Sequence, residues 1–113
     1  MAGLVRSAII AAFAAAALSS PAQAQNASQA QELSNCAGAV AAVGGLDVLA
    51  YPRGASGEWS NLLGLILDRL NREEGVEGMT GRYAASAAKG FWLEQSSADR
   101  TAAANECRAR YGG

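Results

Sequence analysis

One stretch of the chain carries more apolar bulk on a single stripe than any other. Residues 59–72 read WSNLLGLILDRLNR, with large apolar side chains recurring every three or four positions. That spacing places them on one face of an α-helix. The stripe comprises Trp59, Leu62, Leu63, Ile66, Leu67 and Leu70. We therefore predict a helix with a buried apolar face, against which the alanine- and glycine-rich segments on either side pack closely.

A second helical pattern precedes this stretch. Ser28 followed three residues later by Gln31 fits a capping box, which predicts a helix that begins near residue 28. The paired glycines Gly44 and Gly45 are expected to end it, since each costs about 1 kcal/mol inside a helix. Its apolar stripe comprises Leu33, Cys36, Ala37, Val40 and Val43.

The connection between these two helices is ambiguous in its first half. Residues 45–51, GLDVLAY, are compatible either with further helical turns or with an extended link. Pro52 stops the segment, because the residue before a proline is pushed out of the helical region. Residues 53–57, RGASG, have the composition of a loop, and Ser56 is expected to cap the helix that follows.

Two more helices complete the pattern. Thr80 is expected to cap a third helix, and Ser96 with Asp99 a fourth. The third helix is predicted to turn inward a face of aromatic residues and alanines: Tyr83, Ala84, Ala87, Ala88, Phe91 and Trp92. The inner face of the fourth is predicted to carry Ala103, Ala104, Cys107 and Tyr111.

The N-terminus has the features of a secretory signal. Arg6 supplies a positive charge, residues 8–18 form an uncharged apolar run, and residues 22–24, AQA, provide a small-residue cleavage pattern. The apolar run is well short of the roughly 20 residues that a spanning helix needs. We predict that residues 1–24 are a signal peptide and that residues 25–113 form a single helical domain. The protein is then periplasmic or secreted, with no stable membrane span after cleavage.

Two cysteines, Cys36 and Cys107, lie 71 positions apart in the predicted domain. In an exported protein a pair of cysteines usually forms one disulfide, and closing a loop of this length contributes roughly 4 kcal/mol. Cys36 falls in the third turn of the first predicted helix and Cys107 near the end of the last. The two cysteines lie at the same height along the bundle only if the first and last helices are antiparallel. We therefore predict an all-α, up-down four-helix bundle with a disulfide between its first and last helices.

The charge balance argues against a nucleic-acid-binding protein. Without Arg6, eight basic residues face ten acidic ones, so the domain lacks an overall basic field. Local groups of arginine remain on the last helix and near the middle of the chain: Arg100, Arg108 and Arg110, and Arg69, Arg72 and Arg82. Such a bias suits an acidic partner or an anionic surface, although arginines on helices more often pair with nearby acids.

Most catalytic chemistries are excluded by composition. The sequence contains no histidine, which rules out His-based triads, Cys–His nucleophiles and the usual zinc sites. No glycine-rich phosphate-binding motif occurs either. We identify no catalytic residue and no cofactor-binding residue.

A cluster of glutamates is the weak exception. Glu73, Glu74 and Glu77 stand close together in a glycine-containing segment. Carboxylate oxygens suit a hard divalent cation, and paired acids serve glycosidases. However, their spacing matches no known calcium loop, and runs of acids are usually solvated surface. They are weak candidates for a metal site.

Two functions follow from this inventory. The first is an exported, non-enzymatic binding or interaction protein with a protein partner in the cell envelope or exterior. The alternative is a small carboxylate-based hydrolase or divalent-cation-binding protein that uses the glutamate cluster, with Asp68 as a further acid. The sequence leaves open whether Trp59, Phe91 and Trp92 line an apolar ligand pocket between helices.

Overall fold

The computed structural model describes the backbone of residues 21–112 and the side chains of residues 29–112. This part of the chain forms four α-helices: α1, Pro21–Gly44; α2, Glu58–Asn71; α3, Thr80–Leu93; and α4, Ser97–Tyr111. Residues 21–112 contain no β-strand. Cys36 and Cys107 form a disulfide between α1 and α4, with their Cα atoms 5.7 Å apart. The predicted all-α four-helix bundle, stapled between its first and last helices, is confirmed.

Consecutive helices alternate in direction. Arg100, in the first turn of α4, lies beside Ala42 at the end of α1, and Tyr111, in the last turn, donates a hydrogen bond to Glu32. Helix α2 likewise starts beside the end of α1 and ends beside the start of α3, where Leu70 contacts Gly81. Because α1 and α4 are antiparallel, the two cysteines lie at the same level.

Helix α2 supplies most of the bulky core, as its apolar stripe predicts. Leu63, Ile66 and Leu70 are fully buried, and Leu62 and Leu67 are nearly so. Trp59, at the start of the stripe, is half-buried. Side chains of this size each contribute about 1.5–3 kcal/mol when they leave water, so this face provides much of the hydrophobic stabilisation.

Helix α1 is nevertheless the central element, because it packs against each of the other three helices. Helix α2 makes only limited contact with α3 and α4. Ala37, Ala39, Val40 and Ala41 are all buried although they point in different directions around the helix. The segment of α1 from residue 36 to residue 41 is therefore buried on all sides, and its small side chains let the neighbouring helices approach closely.

The boundaries of α1 are only partly as predicted. The helix begins at Pro21, so the expected start near Ser28 is wrong. Its end is correct: Gly45 adopts a left-handed φ of 64°, and the Leu46 amide donates to the Ala41 carbonyl at 2.9 Å. This geometry is a Schellman motif, in which glycine takes the left-handed position without steric cost.

The segment after α1 forms turns instead of further helix. The Asp47 carboxylate accepts hydrogen bonds from the amides of Leu49 and Ala50, while Leu46 and Val48 are buried. The Tyr51 hydroxyl donates to the Ser60 carbonyl at 2.9 Å and ties the segment to α2. The peptide bond between Tyr51 and Pro52 is cis.

The N-terminal cap of α2 differs from the prediction. Gly57, with a φ of 95°, occupies the cap position, and no side chain caps the helix there. The expected cap by Ser56 is therefore wrong. At α4 the prediction is confirmed, because the Ser96 hydroxyl accepts a hydrogen bond from the Asp99 amide at 3.1 Å.

Helix α3 packs through a different face from the predicted one. Gly81 and Ala85 are its buried residues, whereas Tyr83 and Phe91 are exposed. Thr80 is the first residue of the helix, and Met79 takes the cap position without a side-chain hydrogen bond. The inward placement of Tyr83 and Phe91 is therefore wrong, and the inner face is made of small residues.

Two cations fix this rotation of α3. The Lys89 ammonium donates to the Leu46 carbonyl at 2.6 Å. Arg82 donates to the Val48 carbonyl at 3.1 Å and also to the carbonyl of Tyr51. The turns of residues 46–51 leave these carbonyls without helical partners, and a buried carbonyl without a donor costs about 1–3 kcal/mol. The cations of α3 satisfy this requirement only when they face the turn segment.

Helices α1 and α3 come into backbone contact at Gly38. A Cβ atom at this position would lie 2.5 Å from the Lys89 amide nitrogen and 2.6 Å from the Ala88 carbonyl carbon. Real Cβ atoms do not approach backbone atoms this closely, so the contact requires glycine. Ala88 lies directly across the interface, and its small side chain permits the approach.

Helix α4 buries little apolar surface of its own. Ala104 and Cys107 are its buried residues, and Tyr111 is partly buried. The disulfide and the polar contacts of its last turn therefore hold it to α1. Within residues 21–112, no helix combines the length and apolar content needed to cross a membrane.

The predicted signal peptide falls largely outside the described residues. Residues 1–20 are not among them, and the predicted cleavage point after Ala24 lies within the backbone of α1. Cleavage and the division into residues 1–24 and 25–113 stay predictions.

The contact at Gly38 predicts a cost for the smallest possible enlargement. We expect Gly38→Ala to destabilise the fold by about 1–3 kcal/mol through overpacking, although alanine is the better helix former. Gly90→Ala is the matched control, since an added Cβ on this exposed α3 glycine meets nothing within 4 Å. It should stabilise by about 0.5–1 kcal/mol. Urea denaturation measures both values, and a Gly38→Ala variant as stable as the wild type contradicts the described contact.

Candidate binding groove

An apolar groove of about 480 Å³ runs between α1 and α3. Alanines and one glycine make up half of its lining residues, and amides and hydroxyls supply most of the others. We call it the alanine groove. It is lined by Ala30, Gln31, Ser34 and Asn35 of α1, Val76, and Thr80, Gly81, Ala84, Ala87 and Ala88 of α3.

The groove exists because α1 and α3, which both carry small side chains here, touch at one point along their length and leave space between them at another. The backbones touch at Gly38 and Ala88, whereas the groove lies toward Ala30 and Thr80. Alanine side chains are too short to fill the gap there. The buried Ser34 hydroxyl bonds to the Ala30 carbonyl of its own helix at 2.8 Å, so the lining is internally satisfied at that point.

Beside the groove, α3 exposes two aromatic side chains. Tyr83 is 61% and Phe91 54% accessible to solvent. Phe91 packs edge to face against Trp92, with ring centroids 5.1 Å apart, and the Trp92 indole donates to the Asn35 amide oxygen at 3.1 Å. Phe91 is therefore held in place although it is half exposed. Rigid, exposed aromatic rings are typical anchors of protein–protein interfaces.

The solvent-facing side of α3 carries no charge over almost three turns. We call this surface the outer face of α3, formed by Thr80, Tyr83, Ala84, Ala87, Gly90 and Phe91. The charged residues of the helix, Arg82 and Lys89, bind the turn segment on the opposite side. Depletion of charge together with aromatic enrichment is characteristic of interface cores.

The arginines of the sequence prediction are largely engaged within the fold. Arg72, directly after α2, pairs with Asp68 of that helix, and Arg82 binds carbonyls of the turn segment. Arg100 donates to the Leu93 carbonyl at 3.4 Å. Among the described residues, these three therefore contribute little free positive charge to a partner surface.

Two further arginines, Arg69 and Arg108, lie between α2 and α4. The Arg108 guanidinium lies 3.9 Å from the centroid of the Trp59 ring, and that of Arg69 lies 5.1 Å from the centroid of Tyr111. Leu65, 51% exposed, lies between these two stacks. Glu58, Asp68 and Glu73 line the same crevices and balance the positive charge. On this surface the arginines therefore lie beside acids, the outcome that the sequence pattern more often indicates.

A polar network joins the end of α4 to α1. The Tyr111 hydroxyl donates to Glu32 at 2.8 Å, and Arg110 pairs with the same carboxylate and with Glu106. The hydrogen bond from Tyr111, followed by that from Arg110, lowers the pKa of Glu32. Burial, with a smaller effect from Glu32, raises the pKa of Tyr111. The network secures α4 beside the disulfide.

The three glutamates of the sequence analysis lie along the connection between α2 and α3. Glu73 lines the crevice near Arg69 and Arg72, whereas Glu77 is exposed on the connection to α3. Among the side chains of residues 29–112, no group of three acidic or cysteine residues is arranged to hold a metal ion. The proposed metal or hydrolase role of Glu73, Glu74 and Glu77 stays a prediction.

Trp59 does not share a pocket with Phe91 and Trp92. Trp59 contacts Gly44, whereas Trp92 bonds to Asn35. Those two α1 positions are nine residues apart, which separates them by about 13 Å along the helix and places them on opposite sides. The structure instead brings Phe91 and Trp92 together beside the alanine groove.

Helical periodicity does not predict the alanine groove, because it places the aromatic and alanine side of α3 in the core. The useful signal was the pair Arg82 and Lys89, which flank Ala85 on the same side of the helix.

Comparison with protein-family models, with curated proteins and with solved structures found no match to this chain.

The Glu32 network predicts a dependence of stability on pH. Because its folded pKa is lowered, Glu32 contributes stability above its unfolded pKa and loses it as the pH falls through the folded pKa. We expect Glu32→Gln to cost less than about 1 kcal/mol at neutral pH, since the carboxylate and Arg110 are 44% and 46% exposed. The difference from wild type should vanish in acid.

Denaturant unfolding at several pH values measures this effect. Glu77→Gln, at an exposed glutamate outside the network, controls for the loss of one carboxylate. A wild-type advantage over Glu32→Gln that persists unchanged in acid would contradict the described network.

Proposed function

We propose that this chain is an exported, non-enzymatic interaction protein whose binding surface is the alanine groove together with the outer face of α3. The observation that carries the proposal is the uncharged face of α3, which exposes Tyr83 and Phe91 beside a groove of about 480 Å³. Contiguous exposed apolar surface of this kind marks interaction sites in proteins of this size.

The geometry favours a helical partner. Helix α3 has 14 residues, so its outer face extends for about 20 Å. Small residues such as Ala84 and Ala87 allow a second helix to approach closely, and Tyr83 and Phe91 offer anchors two turns apart. An amphipathic helix that lays its apolar side in a groove is a common mode of recognition. Gln31 and Asn35 at the rim supply hydrogen-bonding groups for its polar edge.

Export is supported by two features of the chain. The N-terminal 24 residues have the organisation of a secretory signal. The Cys36–Cys107 disulfide is of a kind that persists in oxidising compartments such as the periplasm or the cell exterior. We therefore place the proposed partner in the cell envelope or outside the cell.

Position-specific photo-crosslinking in the native host tests the proposal. A photoreactive amino acid at Ala87, in the centre of the outer face, should give a covalent adduct of defined mass. The same residue at Ala102 is the matched control, because Ala102 is an exposed alanine on α4. Adding Ala84→Arg should abolish the adduct, since it places a charge in the groove, while thermal unfolding shows that the fold is kept.

The outcome separates binding at this surface from random collision. An adduct at residue 87 that is absent at residue 102 and lost with Ala84→Arg supports the proposal. Equal labelling at both positions, or no adduct at residue 87, contradicts it.

A further inference from the structure

We infer that the partner that fills the alanine groove is a second copy of this chain, bound through antiparallel pairing of the two α3 helices. The inference rests on the proposed function, in that it uses the same surface, and it names the occupant. It follows from the order of large and small residues along the outer face of α3. That order is self-complementary about Ala87.

Ala87 is the centre of the outer face. Tyr83 precedes it by four residues and Phe91 follows it by four, so each lies about 6 Å away along the helix axis. With 100° per residue, the two rings also diverge by about 40° to opposite sides of Ala87. The two rings therefore lie at equal distances on opposite sides of Ala87, which leaves this small residue free to lie on the axis of an interface with two-fold symmetry.

An antiparallel partner places each large side chain over small ones. When the two-fold axis passes through Ala87, Phe91 of one copy falls over the space between the partner's Thr80 and the partner's Ala84. These two residues line the alanine groove, whose volume of about 480 Å³ is ample for a phenyl ring. Tyr83 falls beside the partner's Gly90, where an exposed glycine leaves open space. Both contacts occur twice by symmetry.

Charge selects the antiparallel orientation. Glu94, at the C-terminal end of α3, is the charged residue nearest the outer face. In a parallel pair the two Glu94 carboxylates face each other. In the antiparallel pair each lies beside the N-terminus of the other α3, which has no side-chain cap. A carboxylate at a helix N-terminus interacts favourably with the helix dipole.

The size of the surface predicts a modest affinity. Aromatic side chains present about 150–250 Å² each, so the half-exposed Tyr83 and Phe91 offer on the order of 100 Å² apiece. With the alanines, Thr80, Gly90 and the α1 side of the groove, each copy would bury on the order of 500 Å². The total of about 1,000 Å² lies at the lower limit of specific interfaces, where transient dimers are found.

Sedimentation equilibrium of the purified, disulfide-intact protein tests the inference. The wild type and Ala102→Glu should show a concentration-dependent dimer, whereas Ala87→Glu should raise the dissociation constant about a hundredfold or more. The reason is that Ala87 lies on the two-fold axis, so the variant sets two carboxylates against each other. Residue 87 is exposed, so the variants are expected to fold, and thermal unfolding of each variant measures this.

Mixing two variants makes the test specific. Ala87→Lys alone should also be monomeric, but an equimolar mixture with Ala87→Glu should restore association as a heterodimer. A wild type that stays monomeric to near-millimolar concentration overturns the inference, as does a dimer that Ala87→Glu leaves unchanged. If the protein is monomeric and residue 87 crosslinks specifically to a different protein, the proposed function stands and the self-association fails. If neither is seen, both fail.

Discussion

The backbone contact between α1 and α3 at Gly38 is the constraint on which the described surface depends. Because Gly38 has no side chain, Ala88 and Lys89 come within a distance that no larger residue allows. An interface this thin has no room for an aromatic ring. Tyr83 and Phe91 therefore lie outside, and small side chains occupy the contact. The close approach and the exposed apolar face are two consequences of the same packing.

The turn segment of residues 46–51 makes this arrangement more favourable than the opposite rotation of α3. Its carbonyls need donors, and Lys89 and Arg82 supply them at 2.6 Å and 3.1 Å. Rotating α3 so that Phe91 faced the core would move both cations toward solvent and leave buried carbonyls unpaired. Hydrogen bonding to the turn segment thus decides which face of α3 points toward the core, although the apolar pattern of this helix predicts a different face.

The elements differ in how far the sequence could predict them, and the reason is physical. The leucine stripe of α2 follows from periodicity, since bulky residues gain most from burial. The Cys36–Cys107 disulfide could be predicted because the two cysteines lie at the same height along the bundle when the first and last helices are antiparallel. The orientation of α3 depends on tertiary partners, namely Gly38 and the carbonyls of a distant turn segment, which helical periodicity does not report. The alanine groove was hidden for the same reason, because it exists only between two helices already in place.

The outer face of α3 depends on the orientation of this helix, which nuclear Overhauser effects in solution report. We expect contacts between the Gly38 Hα protons and the Ala88 methyl group, with the Tyr83 ring free of contacts to core methyl groups. Strong effects from the rings of Tyr83 and Phe91 to the methyl groups of Leu63 and Ile66 would contradict it. They would show that the aromatic residues of α3 lie in the core and that the outer face described above does not exist.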